Sequence, residues 1–203
     1  MKRIKDPEKR IVLTATISLM VNILYAVGNL YLGFYQRSYW FITAGAYYVV
    51  LATMRFTAVM AAGKSRAEQN YILKFSGIML LFMSWVLSGS VYLSIRYDVA
   101  KIMHEIVMIT IATYAFTKIT LAIINLIKVR RFNSPALSAL RSISLADGVV
   151  SIYSLQRSML VSFEGMTAEN IKLMNIMTGT GVWLIVLTIS IIMIMKSKRS
   201  KNG

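Results

Sequence analysis

The chain reads as all-α, a polytopic integral membrane bundle of six transmembrane helices. Three observations predict this. Hydrophobic residues make up 57% of its 203 residues and charged ones only 15%, with a mean hydropathy of +0.61, against the 45–50% apolar and about 25% charged residues of soluble domains. Long apolar runs recur six times, each near the roughly 20 residues of helix that a bilayer core of about 30 Å demands. The basic residues between those runs alternate between rich and poor clusters, as a chain stitched through a membrane requires.

The six stretches are, in order, Ile11–Phe34, Trp40–Ala62, Tyr71–Ile95, Glu105–Ile127, Pro135–Phe163 and Leu173–Met195. The first follows a charged N-terminus and so mimics a secretory leader. Its apolar run is longer than a typical 7–15-residue leader core, and no clear A-x-A site closes it, so it reads as an uncleaved helix. The aromatic cluster Phe34, Tyr35, Tyr39, Trp40 and Phe41 falls where the first hairpin meets the outer interface, the place of an aromatic belt. Span five is the polar one, with Arg141, Asp147, Gln156, Arg157 and a series of serines. Ser134-Pro135 supplies an N-cap and a proline at the first helical position, which predicts one long helix from there.

Orientation follows from the loops. Lys2, Arg3, Lys5, Lys9 and Arg10 precede span one; Lys64 and Arg66 separate spans two and three; Lys128, Arg130 and Arg131 separate four and five; Lys196, Lys198, Arg199 and Lys201 follow six. That places fourteen basic residues on one side against Arg37, Arg96, Lys101 and Lys172 on the other. Both termini are therefore expected in the cytoplasm, with the protein in the cell membrane. The formal net charge of +15 is then explained by topology and by attraction to anionic lipid headgroups rather than by nucleic acid.

The whole chain, 1–203, forms one transmembrane domain with potential halves 11–95 and 105–196. Shifting the first span by 96 aligns Thr14 with Thr110, Asn29 with Asn125 and Leu30 with Leu126. A shift of 102 aligns Arg55 with Arg157, Gly77 with Gly179 and Ser88 with Ser190. Three spans per half would make a 3+3 inverted repeat, as in many secondary transporters.

Charged groups at the bilayer centre cost about 2.5–3.5 kcal/mol on insertion scales, so they usually face a partner or a wet cavity. Ser18, Asn22, Tyr25 and Asn29 form a stripe on the first helix, and Thr110, Tyr114, Thr117, Lys118 and Asn125 recur on the fourth. Ser144, Asp147, Ser151 and Ser154 share a face of the fifth, and Tyr48 and Arg55 lie seven apart on the second. Arg55, Lys118, Asp147, Asn22, Asn29 and Asn125 are the expected lining of a solute or ion pathway. Counting from the cytoplasmic loops, Lys118 and Asp147 both lie about 15–18 Å deep, which predicts an ion pair between helices four and five. Arg141, near the edge, reads as a snorkelling side chain. Apart from Glu105 at the edge of span four, Asp147 is the sole acid within the spans against Arg55, Lys74, Lys118, Arg141 and Arg157, a balance that favours an anionic or carbonyl-rich solute. Small residues, among them Gly28, Gly33, Gly45, Ser84, Ser88, Gly89, Gly179 and Gly181, read first as points of close helix approach.

Several chemistries lack their residues. There is no cysteine, a single histidine (His104), and no HExxH, GxSxG or P-loop pattern. No enzyme, metal or cofactor is expected. The function that the polar stripes predict is a small transporter or channel for a small polar solute, neutral or anionic. The alternative is a non-transporting membrane scaffold or a subunit of a larger membrane complex, in which the same stripes glue helices together. The bilayer is the expected partner, and a homodimer is compatible with the short loops.

Overall fold

The computed structural model describes residues 7–35, 37, 39–97, 109, 112–113, 115–117, 119–120, 122–124, 134–162 and 167–199. Among them there is no strand. The helices are α1 (Pro7–Tyr35), α2 (Tyr39–Ala61), α3 (Arg66–Tyr97), α4 (the segment Ala115–Ile124), α5 (Pro135–Ser162) and α6 (Ala168–Arg199).

Local chemistry explains where each helix starts. Pro7 opens α1 at the position where its missing N–H costs nothing. The α1–α2 turn passes through Arg37, which holds a left-handed φ of 49°. Ser65 and Glu68 make a reciprocal capping box at α3: the Glu68 amide donates to Ser65 Oγ at 3.4 Å, and the Ser65 amide donates to Glu68 Oε2 at 3.1 Å. Thr167 caps α6 by accepting from the Asn170 amide at 3.3 Å. These caps carry α3 and α6 about five residues upstream of their apolar runs, because a hydropathy boundary marks lipid and a cap marks the helix.

Ser134 caps α5 as the sequence predicts, accepting from the Leu137 amide at 3.4 Å. Its hydroxyl also donates to Gln69 Oε1 at 2.8 Å, tying the start of α5 to the start of α3. The polar fifth stretch is thus a single helix, and it is the interior one. It packs against α1, α2, α3 and α6, burying Leu137, Leu140, Ile143, Ala146 and Tyr153 in the main core with Leu51 and Met54 of α2, Leu73 and Leu80 of α3, and Val182 and Val186 of α6. The outer helices display large apolar side chains, including Leu24, Phe34, Trp85, Met177 and Met195.

Among the described residues three helices are long and apolar enough to cross a membrane: Val12–Tyr35, Arg66–Gly89 and Ala168–Lys198. Shorter apolar segments occupy Gly45–Ala61 and Ala115–Ile124. Helix α5 has the length without the apolarity, because its surroundings are protein.

Glycine sets the closest approaches. A β-carbon at Gly45 would lie 2.6 Å from Leu30 Cγ of α1; at Gly77, 2.9 Å from Ile194 of α6; at Gly179, 2.9 Å from Val91 of α3. Gly148 meets Ile119 of α4 at 3.4 Å. Of the predicted approach points, Gly45 and Gly179 serve, whereas Gly28, Gly89 and Gly181 have nothing within 4 Å. Helices α3 and α6 run antiparallel: Asn70 Nδ2 donates to the Ser197 carbonyl at 2.9 Å, and Ser197 Oγ donates to the Asn70 carbonyl at 3.0 Å.

Candidate functional site

The polar centre begins with two charges. Arg55 Nη2 donates to Asp147 Oδ2 at 2.7 Å, and both side chains are almost wholly buried. Arg55 sits on the face of α2 that carries Leu51, Met54 and Ala58 into the core. Either charge alone at this depth would be expensive. Joined, each supplies the other's counter-charge, and the strong donor meets a strong acceptor. The only other ion pair among the described residues, Lys64–Glu68, is exposed at the start of α3.

A cavity of about 110 Å³ lies between α2, α3 and α5, its wall reaching within one turn of Asp147 at Ser151. From α2 come Thr43, Tyr47 and Tyr48; from α3, Val86 and Leu87; from α5, Val150, Ser151, Tyr153, Ser154 and Arg157. Ser151 is one turn beyond Asp147 and donates to its carbonyl at 2.7 Å. Tyr48 touches Tyr47 edge-on at 5.5 Å and Tyr25 of α1 at 5.2 Å, so the aromatic wall is braced by two neighbours. Arg157 is 3% exposed. One residue away, Gln156 Nε2 donates to Thr178 Oγ1 at 2.7 Å, and Thr178 donates in turn to the Met174 carbonyl of its own helix at 2.6 Å. Helix α6 runs unbroken through Thr178-Gly179-Thr180-Gly181, so this stretch offers no opened carbonyls.

The predicted pathway residues divide. Arg55 and Asp147 come together. Asn22 is 1% exposed, and neither its amide nitrogen nor its oxygen has a hydrogen-bond partner among the described residues. Because Leu30 packs on Gly45 in an antiparallel pair, counting eight residues back along α1 and forward along α2 brings Asn22 level with Thr53, close to the Arg55 layer. Asn29 is half-buried and turns its amide onto the Tyr25 carbonyl of its own helix at 2.7 Å. Lys118 and Asn125 lie outside the described residues. The neighbour of Lys118, Ile119, packs on Gly148, which follows Asp147, so α4 does reach this level of α5. Asp147, which the depth count pairs with Lys118, makes an ion pair with Arg55; the Lys118 contact itself lies outside the described residues. Arg141, expected to snorkel, is 9% exposed. Its neighbour one turn back, Ser138, accepts from Lys196 Nζ at 3.0 Å.

Sequence reasoning did not single out Thr43, Tyr47 and Tyr153 as lining. Their signal was the α2–α5 pairing itself, since the shift that aligns Arg55 with Arg157 also pairs the helices that form the cavity. Among the described residues no group of three His, Asp or Glu side chains is placed to hold a metal. Chemically, the site offers hydroxyls, aromatic faces and one further guanidinium beside a neutralised ion pair. No protein-family model matches the chain, and no curated protein matches it.

Proposed function

We propose that the chain is a six-span carrier or channel of the cell membrane, with both termini in the cytoplasm, that moves a small polar solute, neutral or anionic. One observation carries the reading: a mainly apolar cavity with the hydroxyls of Thr43, Tyr47, Ser151 and Ser154 on its wall lies at the junction of three helices, one turn along α5 from the buried Arg55–Asp147 pair. A purely structural ion pair needs no cavity beside it. Pockets that orient a solute combine apolar walls with a few placed polar groups and occur between helices of bundles.

The helix arrangement supports a 3+3 inverted repeat with α2 against α5 and α3 against α6 at its centre. Under the shift of 102, the buried positions Leu73, Gly77, Leu80, Ser84 and Val91 of α3 fall on the buried positions Asn175, Gly179, Val182, Val186 and Met193 of α6. Antiparallel packing alone makes partner positions reciprocal; it does not put glycine at both ends of the crossing, where Gly77 and Gly179 stand. Two such halves rocking about the shared pair is the motion by which repeat-built transporters alternate access. The exposed Lys64 and Lys198 near the Gln69–Ser134 junction suit the anionic cytoplasmic leaflet.

The test is a flux screen of small polar solutes in proteoliposomes, with and without a pH gradient, using the wild type and Ser151→Ala/Tyr47→Phe. Flux of at least one solute, reduced several-fold in the double variant at unchanged protein insertion, supports the proposal. Absence of flux across neutral, cationic and anionic panels overturns it in favour of a scaffold.

A further inference from the structure

We propose that the groove between the end of α2 and the start of α3 holds one phospholipid of the cytoplasmic leaflet, with a zwitterionic headgroup ending in a primary amine. Its phosphate lies on Lys64 and its ammonium on Glu68. This lipid site rests on the membrane placement and sidedness proposed above, and it is independent of the cavity between α2, α3 and α5.

Helix periodicity builds the groove. Helix α2 turns Leu51, Met54 and Ala58 into the core, which leaves Phe56 and Met60, one turn apart, on its outer face and more than half exposed. The chain then reverses at the Ser65 cap, and Tyr71 and Ile72 of α3 return alongside them. Between the two helices lies a groove of about 430 Å³, with Lys64 and Glu68 at its mouth. A cavity of about 150 Å³ accommodates benzene, so this groove has room for a glycerol unit and the upper part of an acyl chain. From Glu68 to Ile72 the wall descends about 6 Å, passing from charge to hydrocarbon as a lipid does below its phosphate. Tyr71, one turn below Glu68 and 69% exposed, stands at the headgroup level that interfacial aromatics favour.

Charge selects the headgroup. Among the described residues the groove wall carries one cation and one acid. Lys64 Nζ and Glu68 Oε1 stand 3.7 Å apart, both half-exposed; that is beyond hydrogen-bonding distance, and such a surface pair contributes little by itself. Glu68 is held in place by its other oxygen, which accepts from the Ser65 amide at 3.1 Å and the Ser65 hydroxyl at 2.9 Å. Oε1 can therefore accept from a headgroup ammonium while Lys64 donates to the phosphate. Side by side, the two residues are the complement of phosphoethanolamine. A phosphatidylglycerol phosphate would find Lys64 but bring nothing for Glu68, whose charge repels it. A phosphatidylcholine nitrogen has no N–H to donate.

The experiment counts lipid adducts by native mass spectrometry on the full chain purified in detergent. It is titrated with phosphatidylethanolamine, the N,N-dimethyl derivative, phosphatidylcholine and phosphatidylglycerol of identical acyl chains. The first adduct should form about fivefold to tenfold more tightly with phosphatidylethanolamine than with the choline or glycerol lipid, the scale of one charge-assisted hydrogen bond at an exposed rim. The dimethyl lipid should fall between. Glu68→Gln, which can keep the Ser65 capping box, should lower phosphatidylethanolamine to the phosphatidylcholine level. Lys64→Gln should weaken all four lipids, and so should Thr57→Trp, which fills the groove from its α2 wall. Phosphatidylglycerol or phosphatidylcholine binding the wild type as tightly as phosphatidylethanolamine overturns the headgroup assignment. An unchanged preference in Glu68→Gln, or an undiminished first adduct in Lys64→Gln, overturns the site. If Glu68→Gln or Thr57→Trp fails to fold, the methylation series in the wild type and the exposed Lys64→Gln decide. A chain that stays dispersed without detergent removes the membrane placement and the lipid site together. Equal binding of the four lipids by a chain that needs detergent removes the lipid site alone.

Discussion

At the scale of single residues, the Arg55–Asp147 pair dominates because both charges lie out of reach of solvent. Removing one partner strands the other, which costs about 3–5 kcal/mol in buried pairs, whereas replacing both with apolar groups is often neutral. Asp147→Asn and Arg55→Met should each lower the detergent unfolding midpoint substantially. The double variant Arg55→Met/Asp147→Leu should recover most of the loss, so the cycle reports a large favourable coupling. Recovery of stability without recovery of flux would separate the structural contribution of the pair from its contribution to transport. The sequence made the acid legible, since a lone aspartate among apolar residues demands a partner. It did not single out Arg55 as a partner. Counting residues from a loop gives depth to within about a helical turn, but says nothing of which neighbour the side chain faces. Arg55 starts shallower than Asp147, and the length of the arginine side chain closes the gap.

At the scale of elements, glycine position decides how closely helices approach. Gly179→Val should destabilise by about 1–3 kcal/mol, the usual cost of overpacking, because the first added carbon meets Val91 at 2.9 Å and the Tyr153 hydroxyl at 3.1 Å. Gly181→Ala, two residues on and open on its side, should be neutral or stabilising by about 0.5–1 kcal/mol through helix propensity. Comparing unfolding midpoints of the two variants in one detergent checks both. Composition flags every glycine of a membrane helix equally; only the crossing geometry separates Gly45, Gly77 and Gly179 from Gly28, Gly89 and Gly181. Element limits follow the same division. Pro135 is readable as the start of α5 because proline and a preceding serine are local signals. The extra turns at the starts of α3 and α6 are polar, so hydropathy stops short of them while the caps at Ser65 and Thr167 carry the helix on. The apolar runs that announced α1, α3 and α6 correspond to the three helices that, among the described residues, are able to cross a bilayer by length and apolarity.

At the scale of the whole molecule, topology is open to direct test because the chain has no cysteine. Single cysteines at Lys64 and Lys198 should resist an impermeant maleimide in intact cells and react after permeabilisation. Cysteines at Arg37 and Thr167 should react in both. All four positions are exposed, so failure to label reflects sidedness rather than burial; labelling of Lys64→Cys in intact cells would reject the six-span scheme. The charge alternation that predicts this sidedness lies in the loops and is independent of packing. The polar character of α5 has a different consequence, for biogenesis. A segment bearing Arg141, Asp147, Gln156 and Arg157 partitions poorly from the translocon into lipid by itself, at about 2.5–3.5 kcal/mol for each central charge. Under the proposed six-span topology it enters a membrane already furnished with α2 and α3, where Arg55 and Gln69 await it. Transplanted alone into a host protein with glycosylation reporters, α5 should therefore translocate rather than integrate, and integration should rise when the preceding half of the chain is synthesised first. Arg55→Met in that preceding half should reverse much of the gain, making this arginine a receptor for a helix the ribosome has yet to finish.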